Sequence, residues 1–149
     1  GGRGNDVLTG NAGVDVYQGG AGDDSFTFDG IDRLVDGGSG QDTLQLEVTD
    51  MALDLDGLAG KALTNLEVID LRGVGDNALS LSLLDVLNLS STSNTLQVIG
   101  DAGDSVSAAP EGWVQDVGGP VTLGAHTYNP YTLGVAHLLI ETHITQNVV

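Results

Sequence analysis

The chain has 149 residues, with 21 acidic against 4 basic side chains, a formal net charge of -17 and no cysteine. That balance excludes nucleic acid and anionic membranes as natural partners and favours cations, while the missing thiols exclude disulfide stapling, zinc–thiolate sites and cysteine catalysis. The length suits one folding unit, or a repeat array that merges into a cap; no apolar run approaches the roughly 18 residues of a membrane span and no signal-peptide pattern opens the chain.

A nine-residue period starts at residue 1: GGRGNDVLT, GNAGVDVYQ, GGAGDDSFT, FDGIDRLVD and GGSGQDTLQ, ending at residue 45. The first four positions of each unit are glycine-rich, as a tight turn or converging carbonyls require. The sixth position is Asp6, Asp15, Asp24 and Asp42, and the eighth is Leu8, Tyr17, Phe26, Val35 and Leu44. A glycine-rich turn followed by a short strand sends one large side chain inward per unit. A chain that reverses at every nonapeptide returns to its starting edge after two, so units one, three and five stack on one edge and units two and four on the other.

Stacked strands lie about 4.8 Å apart, and calcium takes oxygen ligands at about 2.3–2.6 Å. One ion is therefore expected between Asp6 and Asp24 and a second between Asp24 and Asp42. The turns complete the shell through Gly1, Gly19, Gly37, Arg3, Ala21, Ser39, Asn5 and Asp23. On the other edge Asp15 faces an irregular unit, in which Phe28 and Ile31 replace glycines and Arg33 stands at the sixth position. Asp29 or Asp32 is the substitute ligand there, opposed by a positive charge where the ion should lie. An EF-hand is excluded, because its loop needs 12 residues, a closing Glu and flanking helices.

Beyond residue 45 the period fades into short alternating segments: 44–48, 51–55, 66–71, 78–83, 86–89 and 95–99. Leu81 to Leu89 is alternatively a helical turn or two. Leu66, Ile69, Leu71, Leu79, Leu96 and Val98 are candidate core, covering the open end of the roll. An isolated acidic turn at Asp101 and Asp104 is a further, weaker metal candidate. The segment from Val121 carries three histidines without metal-binding spacing, and Tyr128, Tyr131 and Trp113 suit half-buried packing. With no serine elbow and no cysteine, catalysis is not expected.

The nonapeptides, the stretch NLEVIDLRGVGDNALSLSLLDVLNLSSTSNTLQVIGDAGDSV and the closing YNPYTLGVAHLLIETHITQNVV together resemble the carboxy-terminal region of large bacterial RTX adhesins. The resemblance implies an all-β chain, a parallel β-roll or β-solenoid of nonapeptides continuing into a β-rich cap. Residues 1–45 would be the calcium-binding roll, 46–110 a degenerate solenoid and capping region, and 111–149 a β-rich tail with a secretion signal. It implies Ca²⁺ as cofactor and Asp6, Asp15, Asp24 and Asp42 as ligands. The partners implied are the type I secretion machinery during export and other domains of a longer, extracellular, cell-surface adhesin active in biofilms. Two other roles remain: the accessory region of a secreted RTX protease or lipase, and a glycan- or peptide-binding module with Trp113, Tyr128 and Tyr131 exposed.

Overall fold

The structure, a computed structural model, describes residues 1–58, 62–108 and 110–149. The front consists of β1 (Gly2–Arg3), β2 (Val7–Thr9), β3 (Val16–Ala21), β4 (Ser25–Phe28), β5 (Leu34–Ser39) and β6 (Thr43–Leu46). These alternate between two sheets: β1, β3 and β5 pair in parallel in one, β2, β4 and β6 in the other. Val7 pairs with Ser25 and Ser25 with Thr43, so each pairing joins residues two nonapeptides apart. The inward positions are the eighth ones: Tyr17, Phe26, Val35 and Leu44 are buried, and Leu8 packs against them. Tyr17 meets Phe26 edge to face, ring centroids 5.8 Å apart.

Glycine at the second position is a steric requirement of this stacking. Gly20 has a φ of 118°, and a Cβ there would strike the carbonyl of Gly2 in the tier before it. The turns can approach to strand-pairing distance only without that carbon.

Past residue 50 the chain widens. A third sheet, all parallel, is built from β7 (Ala52–Asp54), β10 (Ala78–Leu81), β12 (Ser105–Ala108) and β17 (Thr145–Asn147). β8 (Ala62–Thr64) joins the first sheet, while β9 (Val68–Asp70), β11 (Thr95–Ile99) and β16 (Ala136–Glu141) extend the second. Thr43 now pairs with Val68, Val68 with Gln97 and Thr95 with His137, because each circuit carries a third strand or an insertion.

The segment expected as a strand at Val86 to Leu89 is instead within helix α1 (Leu83–Leu89), in line with the helical alternative. A capping box fixes its start: the Ser82 hydroxyl accepts from the Asp85 N–H while the Asp85 carboxylate accepts from Ser82 N–H. Val86 and Leu89, three apart, turn into the core.

The chain closes with β13 (Val114–Gln115), β14 (Val121–Leu123) and β15 (His126–Leu133), all antiparallel to their neighbours: β13 and β14 pair with β15, and β15 with β16. The second sheet is therefore mixed: the nonapeptide strands pair in parallel, the closing strands are antiparallel, and the fold as a whole is mostly β. One apolar cluster runs from Tyr17 to Val148 and includes Trp113 and Tyr131. A smaller one, Val68, Ile99 and Tyr128, forms separately.

This burial pattern ranks the apolar side chains. Phe26→Ala, in a position with no solvent exposure, is expected to cost about 3–5 kcal/mol in calcium-saturated buffer. Val117→Ala, at a fully exposed position, should stay within about 0.5 kcal/mol. Urea denaturation of the two variants measures the contrast, and equal losses would contradict the core assignment.

Candidate metal centre

Asp6, Asp24 and Asp42 each stand immediately before a strand of the second sheet, β2, β4 and β6. This places them one above another. The Asp24 Oδ1 accepts the N–H of Asp6 at 2.8 Å, and the Asp42 Oδ1 accepts that of Asp24 at 2.8 Å. Each later tier thus holds the earlier one by a charge-assisted hydrogen bond.

The second carboxylate oxygen behaves differently. Oδ2 of Asp6, Asp24 and Asp42 is buried and has no hydrogen-bond partner. Each points at the first-position glycine of its own turn, where a side chain would fill the space. A Cβ on Gly1 would meet Asp6 Oδ2 and lie 2.7 Å from the carbonyl oxygen of Gly19. A Cβ on Gly19 would meet Asp24 Oδ2 and the carbonyl oxygen of Gly37. The result is a row of cradles, each with a carboxylate oxygen from one tier and a carbonyl oxygen from the next. An orphaned buried carboxylate is costly, about 1–3 kcal/mol or more for the lost partner, and the donor set is all hard oxygen. That fits calcium. Among the described residues no three Asp, Glu or His side chains gather as a metal cluster; the cradles rely on carbonyls for the rest of their oxygen.

Other turn positions proposed from the sequence serve the stacking itself. The carbonyls of Ala21 and Ser39 accept from Gly4 N–H and Gly22 N–H at 2.7 and 2.9 Å, and Arg3 pairs with Ala21 across β1 and β3. Asn5 Oδ1 accepts from Asp23 N–H and Asp23 Oδ1 from Gln41 N–H, each at 2.9 Å. This fifth-position ladder runs opposite to the sixth-position one.

On the other edge the structure corrects the expectation at Arg33. The side chain of Arg33 is exposed, and Asp32, one residue earlier, is buried and accepts the N–H of Asp15 through Oδ1 at 3.1 Å. The Asp32 Oδ2 accepts weakly from Asp29 N–H, and Asp29 Oδ1 accepts from Ile31 N–H. Asp29 and Asp32 thus shape the irregular turn, with Asp32 bonded through both oxygens and Asp29 through Oδ1. Asp15 Oδ2 is orphaned like its counterparts. A Cβ at Gly10 would meet it and the Tyr17 hydroxyl at 2.5 Å, where the first edge offers a carbonyl. That hydroxyl accepts from Gly10 N–H and donates to the Thr27 carbonyl, both at 2.9 Å.

At the candidate Asp101 and Asp104 the carboxylate is engaged differently. Asp104 is buried, but Oδ1 accepts from Asn77 N–H at 2.8 Å and Oδ2 from Asp101 N–H at 2.7 Å. Both oxygens are satisfied, and Ile144 stands where a Cβ on Gly100 would project. Asp101 is exposed. The contrast with Asp42 separates a structural aspartate from a cradle aspartate.

Burial raises the carboxyls of Asp42, Asp32 and Glu67 above the ordinary range, with neighbouring carboxylates adding to it: Asp24, Asp23 and Asp36 around Asp42, Asp29 and Asp15 around Asp32, and Asp42 beside Glu67. Hydrogen bonds from the backbone oppose the shift in each case. Glu67 escaped the sequence reading because it lies outside any nonapeptide. Elsewhere, His126 Nδ1 pairs with Glu141 at 2.8 Å, and Arg72 makes a two-pronged bond to Asp70. Trp113, Tyr128 and Tyr131 are buried, so the exposed aromatic surface that a glycan- or peptide-binding role requires is not formed by them.

No curated protein and no solved structure matches this chain. Residues 1–26 match the family model of the RTX calcium-binding nonapeptide repeat, 4 copies. The front of the chain is thus an RTX region whose cofactor is Ca²⁺, of a kind typical of secreted proteins, and the first cradle row lies within and just beyond the matched residues.

Proposed function

We propose that this chain is the calcium-dependent folding, capping and type I secretion module of an extracellular RTX adhesin, in which nonapeptide tiers form a β-roll once outside the cell. The observation that carries the folding role is the set of buried Oδ2 atoms of Asp6, Asp24 and Asp42, each without a partner and each facing a carbonyl of the next tier. The adhesin and export assignments rest on the sequence resemblance.

Stacking the tiers brings Asp6, Asp24 and Asp42 into one column. Arg72 is committed to Asp70, and Arg3 and Arg33 are exposed. The glycine-rich turns lose more conformational freedom on ordering than other residues do. The inward side chains of the front, one large residue per nonapeptide, return little burial. Calcium, when bound, supplies the positive charge that turns this repulsion into a cross-link between tiers, and its binding free energy becomes folding free energy. Extracellular calcium modules bind on the order of 10⁻⁴–10⁻³ M, which leaves the front unfolded in a calcium-poor cytoplasm and lets it pass an export channel before folding. Among the described residues no helix is long and apolar enough to cross a membrane.

Two outcomes test the folding role. Hydrogen exchange of the whole chain should show residues 1–46 protected in millimolar calcium and open in chelator, with magnesium unable to substitute. Asp24→Asn, which keeps an acceptor for Asp6 N–H but loses the charge, should weaken the calcium midpoint about tenfold or more. Full protection in chelator would refute the reading.

The raised carboxyls of Asp42, Asp32 and Glu67 give a second handle. A carboxyl whose folded value is raised binds more protons folded than unfolded, so its penalty is fully present above the raised value and is relieved as pH falls through it. In chelator, strand content measured by circular dichroism should therefore rise as pH falls from 7 toward the ordinary carboxylate range near about 4. Metal-free strand content that falls over that window would contradict this assignment.

A further inference from the structure

The carboxylate column continues one tier past the last nonapeptide. Glu67 stands immediately before β9, as Asp42 stands before β6, and its Oε2 accepts the N–H of Asp42 at 3.0 Å. The sequence separation is 25 rather than 18, yet the register is unbroken, since Thr43 pairs with Val68. On the facing sheet Asp36 pairs with Thr64, which sets Asn65 beside Gly37. Asn65 has a φ of 53°, and its Nδ2 donates to Asp36 Oδ1 at 2.8 Å. These constraints hold its carbonyl over the last turn. A Cβ on Gly37 would collide with that carbonyl oxygen and lie 2.6 Å from Asp42 Oδ2. Asp42 has no solvent exposure, and this Oδ2 has no partner.

We infer that a third calcium site lies here, formed by the Asp42 carboxylate and the Asn65 carbonyl, with Glu67 as the residue that positions Asp42 and adds negative charge. It is the equal of the two preceding cradles in its orphaned oxygen and its carbonyl from the next tier. It differs in being shared between the last repeat and the body that follows. Binding there staples the array to its cap. The series stops at this tier because Val68 pairs with Gln97, which puts buried Leu96 where the next carboxylate would stand. The inference rests on the calcium reading of the front and extends it by one ion and two residues outside the repeats.

Calcium bound to the full chain can be counted by equilibrium dialysis and native mass spectrometry. Gly37 lies outside the left-handed region, so Gly37→Ala needs no unusual φ, but its Cβ fills the cradle and collides with the Asn65 carbonyl, which must move away. This variant should bind one ion fewer than wild type. Glu67→Gln retains an acceptor for Asp42 N–H and loses the charge, and should weaken one ion about tenfold or more while the others keep their affinity. Should Gly37→Ala fail to fold, the affinity of Glu67→Gln decides. An unchanged count in the first variant with unchanged affinities in the second overturns the third site and leaves the calcium-folded front standing. A wild-type chain that binds no calcium overturns both.

Discussion

Each tier of the front is tied to its neighbour by one carboxylate that faces two ways. One oxygen accepts the N–H of the tier before it, fixing the stacking distance, and the other lies buried in a cradle with no hydrogen-bond partner from the protein. The first contact favours assembly and the second opposes it. A buried charge without a counter-charge is among the most destabilising features a fold can carry, so the geometry that aligns the tiers also creates the need for a cation. Glycine at the first position is part of the same arrangement. With any side chain there, the cradle is filled and the carboxylate has nowhere to face but a carbon atom.

The same ladder recurs in the body with the conflict removed. Asn77 Oδ1 accepts from Met51 N–H at 2.7 Å, and Asp104 Oδ1 from Asn77 N–H at 2.8 Å. There the second oxygen of Asp104 is occupied by the Asp101 N–H, and Asn77 uses its amide to donate to the Leu71 carbonyl. Amide and fully bonded carboxylate stack without a cation. The chain therefore keeps one stacking device throughout and changes only what meets the spare atom: an open cradle at the front, a backbone or side-chain partner behind. Apolar packing takes over as the circuit widens from two strands to three, with Leu53, Leu79 and Val106 aligned through β7, β10 and β12.

The front was legible because its period is short and every unit repeats the same chemistry at the same offset. Asp6, Asp24 and Asp42 at position six are found stacked, and the large apolar residues at position eight turn inward, buried at Tyr17, Phe26, Val35 and Leu44 and partly so at Leu8. Legibility ended where local packing shifted the frame by a few residues. Arg33 holds the sixth position by count, but in the irregular unit the turn contracts and buried Asp32 takes the contact to Asp15. Glu67 was invisible for the opposite reason, an insertion that lengthens the circuit, and only the pairing of Thr43 with Val68 restores its place in the column. The Val86 to Leu89 run reads as a strand by composition, and the Ser82 and Asp85 capping box decides for a helix. The antiparallel closure by β15 had no sequence signal of its own beyond β-branched composition.

Apolar burial joins the repeats to the body. Phe28, Leu44 and Leu46 are buried in the same cluster as Leu71, Leu81 and Leu138 of the body, so the last repeat packs on the core of the body. The tier at Tyr17 and Phe26 reaches that core through its neighbours. The orphaned carboxylate oxygens recur at Asp6, Asp24 and Asp42 alike, so each of these tiers needs the cation beside its apolar support. Each tier presents the next with the N–H and carbonyl groups it needs, so order in such an array spreads to neighbouring tiers from any tier that has formed. At the junction of Asp42, Asn65 and Glu67 the carboxylate column meets the apolar body, so both kinds of support act on one tier.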